Sequence, residues 1–235
     1  MNFNFLLQQV ATGEHATYLD WILKGVGYTA ATAAVSFLFA LVIGIALGVA
    51  RDLPCRAGKL STWFFELVNS IPLMVMLFLT YQVAPSLLFP EAAKHMDFLS
   101  LTILTGVAGL SVFTGMRVSS HVLAAIQAID ASQKQASKVL GFSQAQTYRL
   151  IVLPQALKNA VPTLTSEFLS TIKNTSAMTA IGLPELTKQV QNIMDNTSAL
   201  YEPFIIVMLC YLVMNLIVIG LVSFAEKQLH KGGKQ

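Results

Sequence analysis

Two ionisable side chains, Glu167 and Lys173, interrupt a stretch of the chain (159–183) that carries no other charge. Charge inside a membrane is costly, so residues of this kind usually face a cavity or a partner. A cationic Lys173 would suit an anionic solute, and an interhelical contact or a side chain reaching the membrane surface would explain it equally well. For Glu167 the sequence favours packing or gating over direct contact with a solute. The side chains that this hypothesis places along a pathway are Glu167, Lys173, Asn174, Thr175 and Ser176.

Enzyme chemistry is poorly supported. The chain contains neither a G-x-x-x-x-G-K-[ST] phosphate loop nor an H-E-x-x-H zinc motif. Its two cysteines, Cys55 and Cys210, do not have the spacing of metal ligands. We therefore predict no catalytic residue, cofactor or metal on this chain, and energy for any transport must come from another subunit.

A polar interruption between apolar segments carries the signals of two short helices. Ser132 with Gln135 fits a capping box, in which each side chain satisfies a free backbone N–H at a helix start. Gly141 can adopt the left-handed conformation that ends such a helix. Ser143 with Gln146 repeats the capping box and predicts a second helix.

The first of these helices would present an apolar stripe. Ala136, Val139 and Leu140 follow the i, i+3, i+4 spacing of one helix face. We name the segment from 130 to 154 the knuckle loop, and its stripe predicts a surface that docks onto a partner.

The knuckle loop resembles the cytoplasmic loop of ABC-importer permeases, which reads roughly EAA-x3-G-x9-I-x-LP. The glycine and the I-x-L-P residues are present at the family's spacing. Two positions differ: a glutamine stands where the family has its glutamate, and a serine stands where it has its second alanine. The residues at the motif positions are Gln135, Ala136, Ser137, Gly141, Ile151, Leu153 and Pro154. The segments 153–164 and 172–186 are similar to permeases for polar amino acids, and 165–183 to glutamate and aspartate systems.

The resemblance implies an all-α integral membrane permease of the type I ABC-importer fold with cytoplasmic coupling helices. It implies four kinds of partner: an ATPase subunit that binds ATP and Mg²⁺, a second permease (identical or homologous), a periplasmic or lipid-anchored amino-acid-binding protein, and membrane lipid. The residues that it assigns to ATPase coupling are Gln135, Ala136, Ser137, Val139, Leu140, Gly141, Ile151, Leu153 and Pro154.

One departure from the family lies where the third span meets the cytoplasm. The family often reads AE-x-x-R there, but this chain has Ser119, Ser120 and Leu123, so no family salt bridge is expected. Arg117 adds a charge nearby. His121 has no second ligand at metal spacing and is expected to form hydrogen bonds at the interface.

Composition indicates a membrane protein without reference to any family. Apolar residues make up 54% of the chain and charged residues 11%, against about 25% charged in soluble domains. A soluble helical protein is a poor alternative, because several charge-free runs approach the roughly 20 residues that cross a bilayer. We predict one membrane domain (1–235) with five spans, at about 22–50, 62–88, 98–126, 159–183 and 203–226. Gly44 and Gly48 form a G-x-x-x-G pair in the first span, which predicts close helix packing inside the chain or between subunits.

The distribution of basic residues predicts the orientation, because cytoplasmic loops are enriched in Lys and Arg. Basic residues follow the first span (Arg51, Arg56 and Lys59) and the last (Lys227, Lys231 and Lys234). This pattern predicts an outside N-terminus and an inside C-terminus. The net charge of +3 is therefore explained by the orientation in the membrane and gives no reason to expect nucleic-acid binding.

Together these features predict a multi-pass permease in a bacterial inner membrane that imports polar, acidic amino acids (glutamate and aspartate) with ATP hydrolysed by a separate subunit. The alternative is an ion-coupled secondary transporter, in which Glu167 and Lys173 would be coupling residues. A third interpretation is a scaffold that carries no flux.

Overall fold

A computed structural model describes residues 4–10, 16–197, 199 and 201–232, and these residues are almost entirely helical. The predicted all-α class is confirmed. The helices are α1 (Tyr18–Asp52), α2 (Arg56–Asn69), α3 (Leu73–Leu88), α4 (Pro90–His95), α5 (Phe98–Gln127), α6 (Ala131–Val139), α7 (Gln144–Thr147), α8 (Leu153–Asn174), α9 (Leu186–Asn196) and α10 (Glu202–Gly232). A short 3₁₀ helix (Asn4–Leu7) precedes α1.

Three helices among the described residues are long and apolar enough to cross a membrane: α1, α5 and the Glu202–Phe224 part of α10. Helices α2 and α3 pass the same test only as a pair that is bent by 96°. The predicted second span at 62–88 therefore corresponds to two helices with a bend between them. The bend falls at Pro72, which has no backbone N–H to donate and which holds Ile71 away from helical geometry.

Helix α2 also begins earlier than the sequence indicated. Gly58 lies buried inside α2, although glycine is unfavourable in a helix interior. A Cβ atom at Gly58 would stand 2.0 Å from the carbonyl oxygen of Leu53, so the glycine lets α2 fold back tightly against the end of α1. Tertiary contact has overridden local propensity here.

The G-x-x-x-G pair in α1 packs against α5. A Cβ atom on Gly44 would stand 2.4 Å from Val118, and one on Gly48 would stand 2.9 Å from Val122. The small residues allow close approach of the two backbones. The motif therefore joins two helices of one chain, and the subunit-interface alternative is not needed.

The predicted fourth span, 159–183, is displaced and divided. Helix α8 begins at Leu153 and ends at Asn174, and a 3₁₀ helix (Thr175–Ile181) follows it. Gly182, at φ +86°, then turns the chain toward α9. The helix thus starts six residues before the predicted span, with Pro154 and Lys158 inside it, and α8 is not among the three helices that are long and apolar enough to cross a membrane.

Two prolines are accommodated inside helices by wider π turns. The turn Leu79–Val83 precedes Pro85, and the turn Tyr148–Val152 precedes Pro154, each in the same register. A proline ring clashes with the carbonyl four residues earlier and leaves it without a donor. The π turn relieves this clash. Because of it, the helical backbone continues without a break from α7 into α8.

Helix α9 buries one face on the rest of the protein. Leu186 and Ile193 are fully buried in a cluster with Tyr18 and Ile22 of α1. Helix α9 is therefore amphipathic, and its apolar face packs inward.

Candidate functional site

The structure brings Glu167 of α8 into contact with two basic side chains of α5. Arg117 Nε donates a hydrogen bond of 2.7 Å to Glu167 Oε1, and His121 Nε2 lies 3.4 Å from Oε2. Arg117 and His121 are four residues apart and therefore lie on the same face of α5. The ion pair joins the two helices at a point where α8 lies against the apolar core.

The two members of the ion pair differ in exposure. The Glu167 side chain is 2% exposed, whereas that of Arg117 is 47% exposed. The carboxylate is therefore committed to its protein partners. The guanidinium makes one hydrogen bond within the described part of the chain, through Nε, and its terminal N–H groups remain able to donate.

A cleft of about 310 Å³ opens beside this ion pair. Hydroxyl groups of α8 line its other wall, contributed by Thr163, Ser166 and Ser170. A half-exposed guanidinium in a cleft is suited to bind a carboxylate through two parallel N–H donors. The cleft can therefore hold a small anionic solute. Within the described residues no group of His, Cys, Asp and Glu could hold a metal ion.

Lys173 lies outside this cleft. Its side chain is exposed and has no ion-pair partner within the described ranges. At 100° per residue it lies within about 20° of Ser166 around α8 and about 10 Å farther along the axis. It therefore shares the face of the cleft but stands nearer the C-terminal end of α8.

The side chains of the polar residues after Lys173 mostly form hydrogen bonds with nearby backbone carbonyls. Thr175 is buried and donates its hydroxyl proton to the Ile172 carbonyl, and Ser176 donates to the Lys173 carbonyl at 2.7 Å. Asn174 is half-buried at the end of α8. Of the five predicted pathway residues, the structure places Glu167 in the cleft and the other four beyond it.

Arg117 is the cleft residue that the sequence did not reveal. The sequence placed it near the point where the third span meets the cytoplasm, and α5 continues ten residues beyond it, to Gln127. The available signal was Glu167 itself, since a carboxylate in a span requires a partner.

A second buried carboxylate, Glu185, has a structural role. It caps α9 by accepting hydrogen bonds from the backbone N–H groups of Thr187 (3.0 Å) and Lys188 (2.9 Å). The hydroxyl groups of Thr179 and Tyr211 also donate to it. Because these donors saturate Glu185 and it is fully buried, it offers no group to a solute.

The first helix of the knuckle loop begins before the predicted N-cap. Asp130, and not Ser132, caps α6: its Oδ1 atom accepts from the backbone N–H of Ser132 at 2.8 Å. These hydrogen bonds lower the pKa of Asp130 below its ordinary value. The capping box of Ser132 with Gln135 is therefore wrong, and Gln135 is exposed one turn into the helix. A carboxylate two residues upstream outcompetes the serine hydroxyl as the acceptor.

The remaining local signals of the knuckle loop are confirmed. Gly141 has φ +79°, and the N–H groups of Gly141 and Phe142 bond to the carbonyls of Lys138 and Ser137, each at 3.0 Å. This is the Schellman arrangement that closes a helix. Ser143 forms the predicted capping box with Gln146.

The residues of the family-like motif separate into outward and inward groups. Val139 is 87% exposed and Leu140 is 72% exposed, and Ala136 completes their stripe. Ser137 is buried, with its hydroxyl 2.9 Å from that of Thr147, which pins α6 to α7. Ile151 and Leu153 are half-buried and Pro154 is exposed. The loop therefore presents a small apolar surface on a rigid support.

Comparisons with known proteins identify the family of this chain. Residues 40–231 match the family described as binding-protein-dependent transport system inner membrane component. The glutamate/aspartate import permease GltJ of Escherichia coli K12 is 32% identical over 99% of this chain and 96% of its own length. The probable glutamine permease GlnM of Bacillus subtilis is 27% identical over 89% of this chain and 93% of its own length.

Solved structures are also similar. The crystal structure of an amino acid ABC transporter with histidines superposes with a TM-score of 0.76 at 25% identity, covering 90% of this chain and 95% of that one. An inward-facing structure of the MetNI methionine ABC transporter gives a TM-score of 0.71 at 19% identity, covering 91% and 96%, and shows the fold.

Proposed function

The chain belongs to the family of binding-protein-dependent transport system inner membrane components, and from that premise we propose that it imports glutamate and aspartate. It is a multi-pass inner-membrane permease of amino-acid ABC transporters. In the proposed complex a separate ATPase subunit binds ATP and Mg²⁺ and hydrolyses the nucleotide. The permease supplies the pathway.

The observation that supports an acidic substrate is the position of Arg117 in the cleft. Its Nε atom is held by Glu167, which fixes the plane of the guanidinium and leaves the outer N–H groups to bind a carboxylate. The hydroxyl oxygens of Ser166 and Ser170 on the opposite wall can accept from a substrate ammonium group. Lys173 lies on the same face of α8, about 10 Å farther along the axis, and provides a second positive charge for an anionic solute.

We assign five spans with the N-terminus outside and the C-terminus inside. Helix α8 serves as the fourth span, because pairing Glu167 with Arg117 removes the main cost of placing it in the membrane. The basic residues Arg56 and Lys59 support a cytoplasmic position for the start of α2. Lys234, which belongs to the same orientation argument, lies outside the described residues.

The proposed coupling begins at the exposed stripe of Val139 and Leu140. An apolar stripe on a capped helix is suited to a groove on the ATPase subunit. Helix α7 passes directly into α8 through the π turn, so displacement of the knuckle loop moves Glu167, which is about 20 Å from Leu153. Arg117 lies on a different helix, so the geometry of the cleft changes when α5 and α8 move by different amounts.

The remaining partners follow from this mechanism. A second permease, identical or homologous, completes the pore, and an external binding protein delivers the amino acid. Substrate and nucleotide then bias one conformational equilibrium from the two faces of the membrane.

The direct test is uptake by the complex reconstituted in liposomes with its ATPase and binding protein. We expect ATP-dependent, vanadate-sensitive uptake of labelled glutamate and aspartate, with weak competition from glutamine. Equal competition by glutamine would contradict the acidic specificity. Uptake driven by an ion gradient without nucleotide would support the secondary-transporter alternative, and absence of flux would support a scaffold.

A further inference from the structure

Asp52, the last residue of α1, binds two separate parts of the knuckle loop. Its Oδ2 atom lies 3.2 Å from Lys134 Nζ of α6 and accepts a hydrogen bond from the Tyr148 hydroxyl in the π turn. The Asp52 side chain is 13% exposed, so these contacts are largely shielded from water. The structure thus ties the end of α1 to α6 and to the π turn that follows α7.

The stability of α1 does not explain why an aspartate occupies its last position. The C-terminal end of a helix carries partial negative charge, so an aspartate is unfavourable at that position. Partial burial raises the cost further. Lys134 and Tyr148 offset both effects. Burial and the neighbouring Asp52 raise the pKa of Tyr148, which keeps the phenol protonated as a donor.

The other end of this connection reaches α5, the helix that carries Arg117. Arg51, next to Asp52, donates a hydrogen bond of 3.0 Å to Ser119 Oγ on α5. Ser119 lies two residues beyond Arg117. The Gly44 and Gly48 contacts hold α1 closely against the same helix. A movement of α1 is therefore transferred to the helix that carries Arg117.

We propose that Asp52 is a positioning residue for transport, which latches the knuckle loop to α1 so that one movement of the loop displaces both members of the Arg117–Glu167 pair. The route through α7 and α8 moves Glu167. The route through Asp52, α1 and α5 moves Arg117. This inference rests on the proposed function, because it assumes that an ATPase subunit moves the loop.

A double-mutant cycle on the assembled complex tests the latch. The variants are Asp52→Ala, Tyr148→Phe and the two together, and the readouts are ATPase stoichiometry, basal hydrolysis and hydrolysis stimulated by the loaded binding protein. We expect each single change to lower the stimulated rate about fivefold to tenfold, and the double variant to lose no more than the worse single variant, because both changes break one linkage. Basal hydrolysis, stoichiometry and the half-saturating concentration of substrate should not change.

A matched pair of lysines provides the control. Lys134 and Lys138 lie one turn apart on α6, but only Lys134 has an ion-pair partner among the described residues. Lys134→Met should lower the stimulated rate, and Lys138→Met should not. If Asp52→Ala prevents assembly, Asp52→Asn keeps the size and a hydrogen-bond acceptor for Tyr148 while removing the charge that Lys134 requires.

The outcomes separate this inference from the proposed function. A wild-type complex that neither assembles with an ATPase nor takes up amino acid would overturn the proposed function. A wild-type complex that transports normally, with Asp52 variants that are stimulated as fully as the wild type, would overturn the latch alone. Losses that multiply in the double variant would also overturn it, because they would show two independent effects.

Discussion

The knuckle loop and the Arg117 cleft are built by opposite means. Short-range hydrogen bonds within one stretch of sequence shape the loop: the Asp130 cap, the Gly141 closure and the Ser143 capping box. The cleft depends on one ion pair between residues fifty positions apart, on two helices. In the proposed mechanism the loop is the part that a partner displaces, whereas the cleft is a contact that changes when its two helices move.

The largest effects are expected in the cleft, where the two members of the ion pair differ in exposure. Arg117→Met leaves the buried Glu167 without its cation, whereas Glu167→Gln leaves a half-exposed arginine that water can still solvate. We expect Arg117→Met to destabilise the complex by about 2–3 kcal/mol, less than for a fully buried pair, and Glu167→Gln by about 1 kcal/mol. Arg117→Met should also abolish uptake of glutamate.

Thermal midpoints of the purified complexes and uptake in liposomes would measure the two effects separately. The double variant, Arg117→Met with Glu167→Gln, should be more stable than Arg117→Met alone, because it no longer buries an unpaired charge. Equal destabilisation by the two single variants would show that the pair is not asymmetric in the assembled complex.

In the knuckle loop the largest effect is expected at Gly141. A Cβ atom there would meet no neighbour within 4 Å, so the left-handed φ is the only source of strain. Gly141→Val should cost about 1 kcal/mol or more, because a β-branched residue tolerates this region poorly. We expect normal membrane insertion, weaker ATPase association and loss of substrate-stimulated hydrolysis.

Gly220→Val provides the matched control. Gly220 also has open space around its Cα, but it lies inside α10 without a positive φ. That variant should assemble and hydrolyse ATP as the wild type does. A Gly141→Val complex with full ATPase stoichiometry and full stimulation would contradict the coupling role of the loop.

The contrast between loop and cleft also explains what could be predicted from the sequence. The Gly141 closure and the Ser143 cap were predictable because their signals lie within a few residues. The start of α8 was not, because the apolar run begins only after Lys158, whereas a π turn lets the helix continue through Pro154. The start of α2 was not predictable either, because it depends on a close contact between Gly58 and the end of α1.

The ion pair between Arg117 and Glu167 could not be predicted from local sequence patterns. Glu167 was identified as a residue in need of a partner, but nothing within its own helix names Arg117 or His121. Only the packing of α5 against α8 brings them together. The same holds for Asp52, whose partners lie more than eighty positions away.

Lys173 should show a smaller effect than Arg117, because it lies outside the cleft. Lys173→Met keeps much of the side-chain length and removes the charge. We expect a partial loss of glutamate uptake, with assembly unchanged and a weaker effect at high ionic strength, where exposed charges are screened. Lys158→Met, an exposed lysine on the same helix before the cleft, should transport normally. Wild-type uptake by Lys173→Met would remove Lys173 from the pathway.

The smallest expected effect concerns the start of the loop, at the exposed cap of α6. Asp130→Ala removes the acceptor for the Ser132 N–H, so the first turn of α6 should exchange its amide hydrogens a few-fold faster. Asp130→Asn should change little, because asparagine caps equally well. Ser132→Ala keeps the backbone donor and should have a smaller effect than Asp130→Ala.

The same cap gives a pH dependence with a defined sign. Hydrogen bonds hold the pKa of Asp130 below its ordinary value of 3.8, so its contribution to helix stability is fully present above that pH and is lost as the pH falls below it. Hydrogen exchange of α6 at neutral and acidic pH would reveal this loss in the wild type, and Asp130→Asn should not show it. Faster exchange in Ser132→Ala than in Asp130→Ala would instead identify Ser132 as the N-cap.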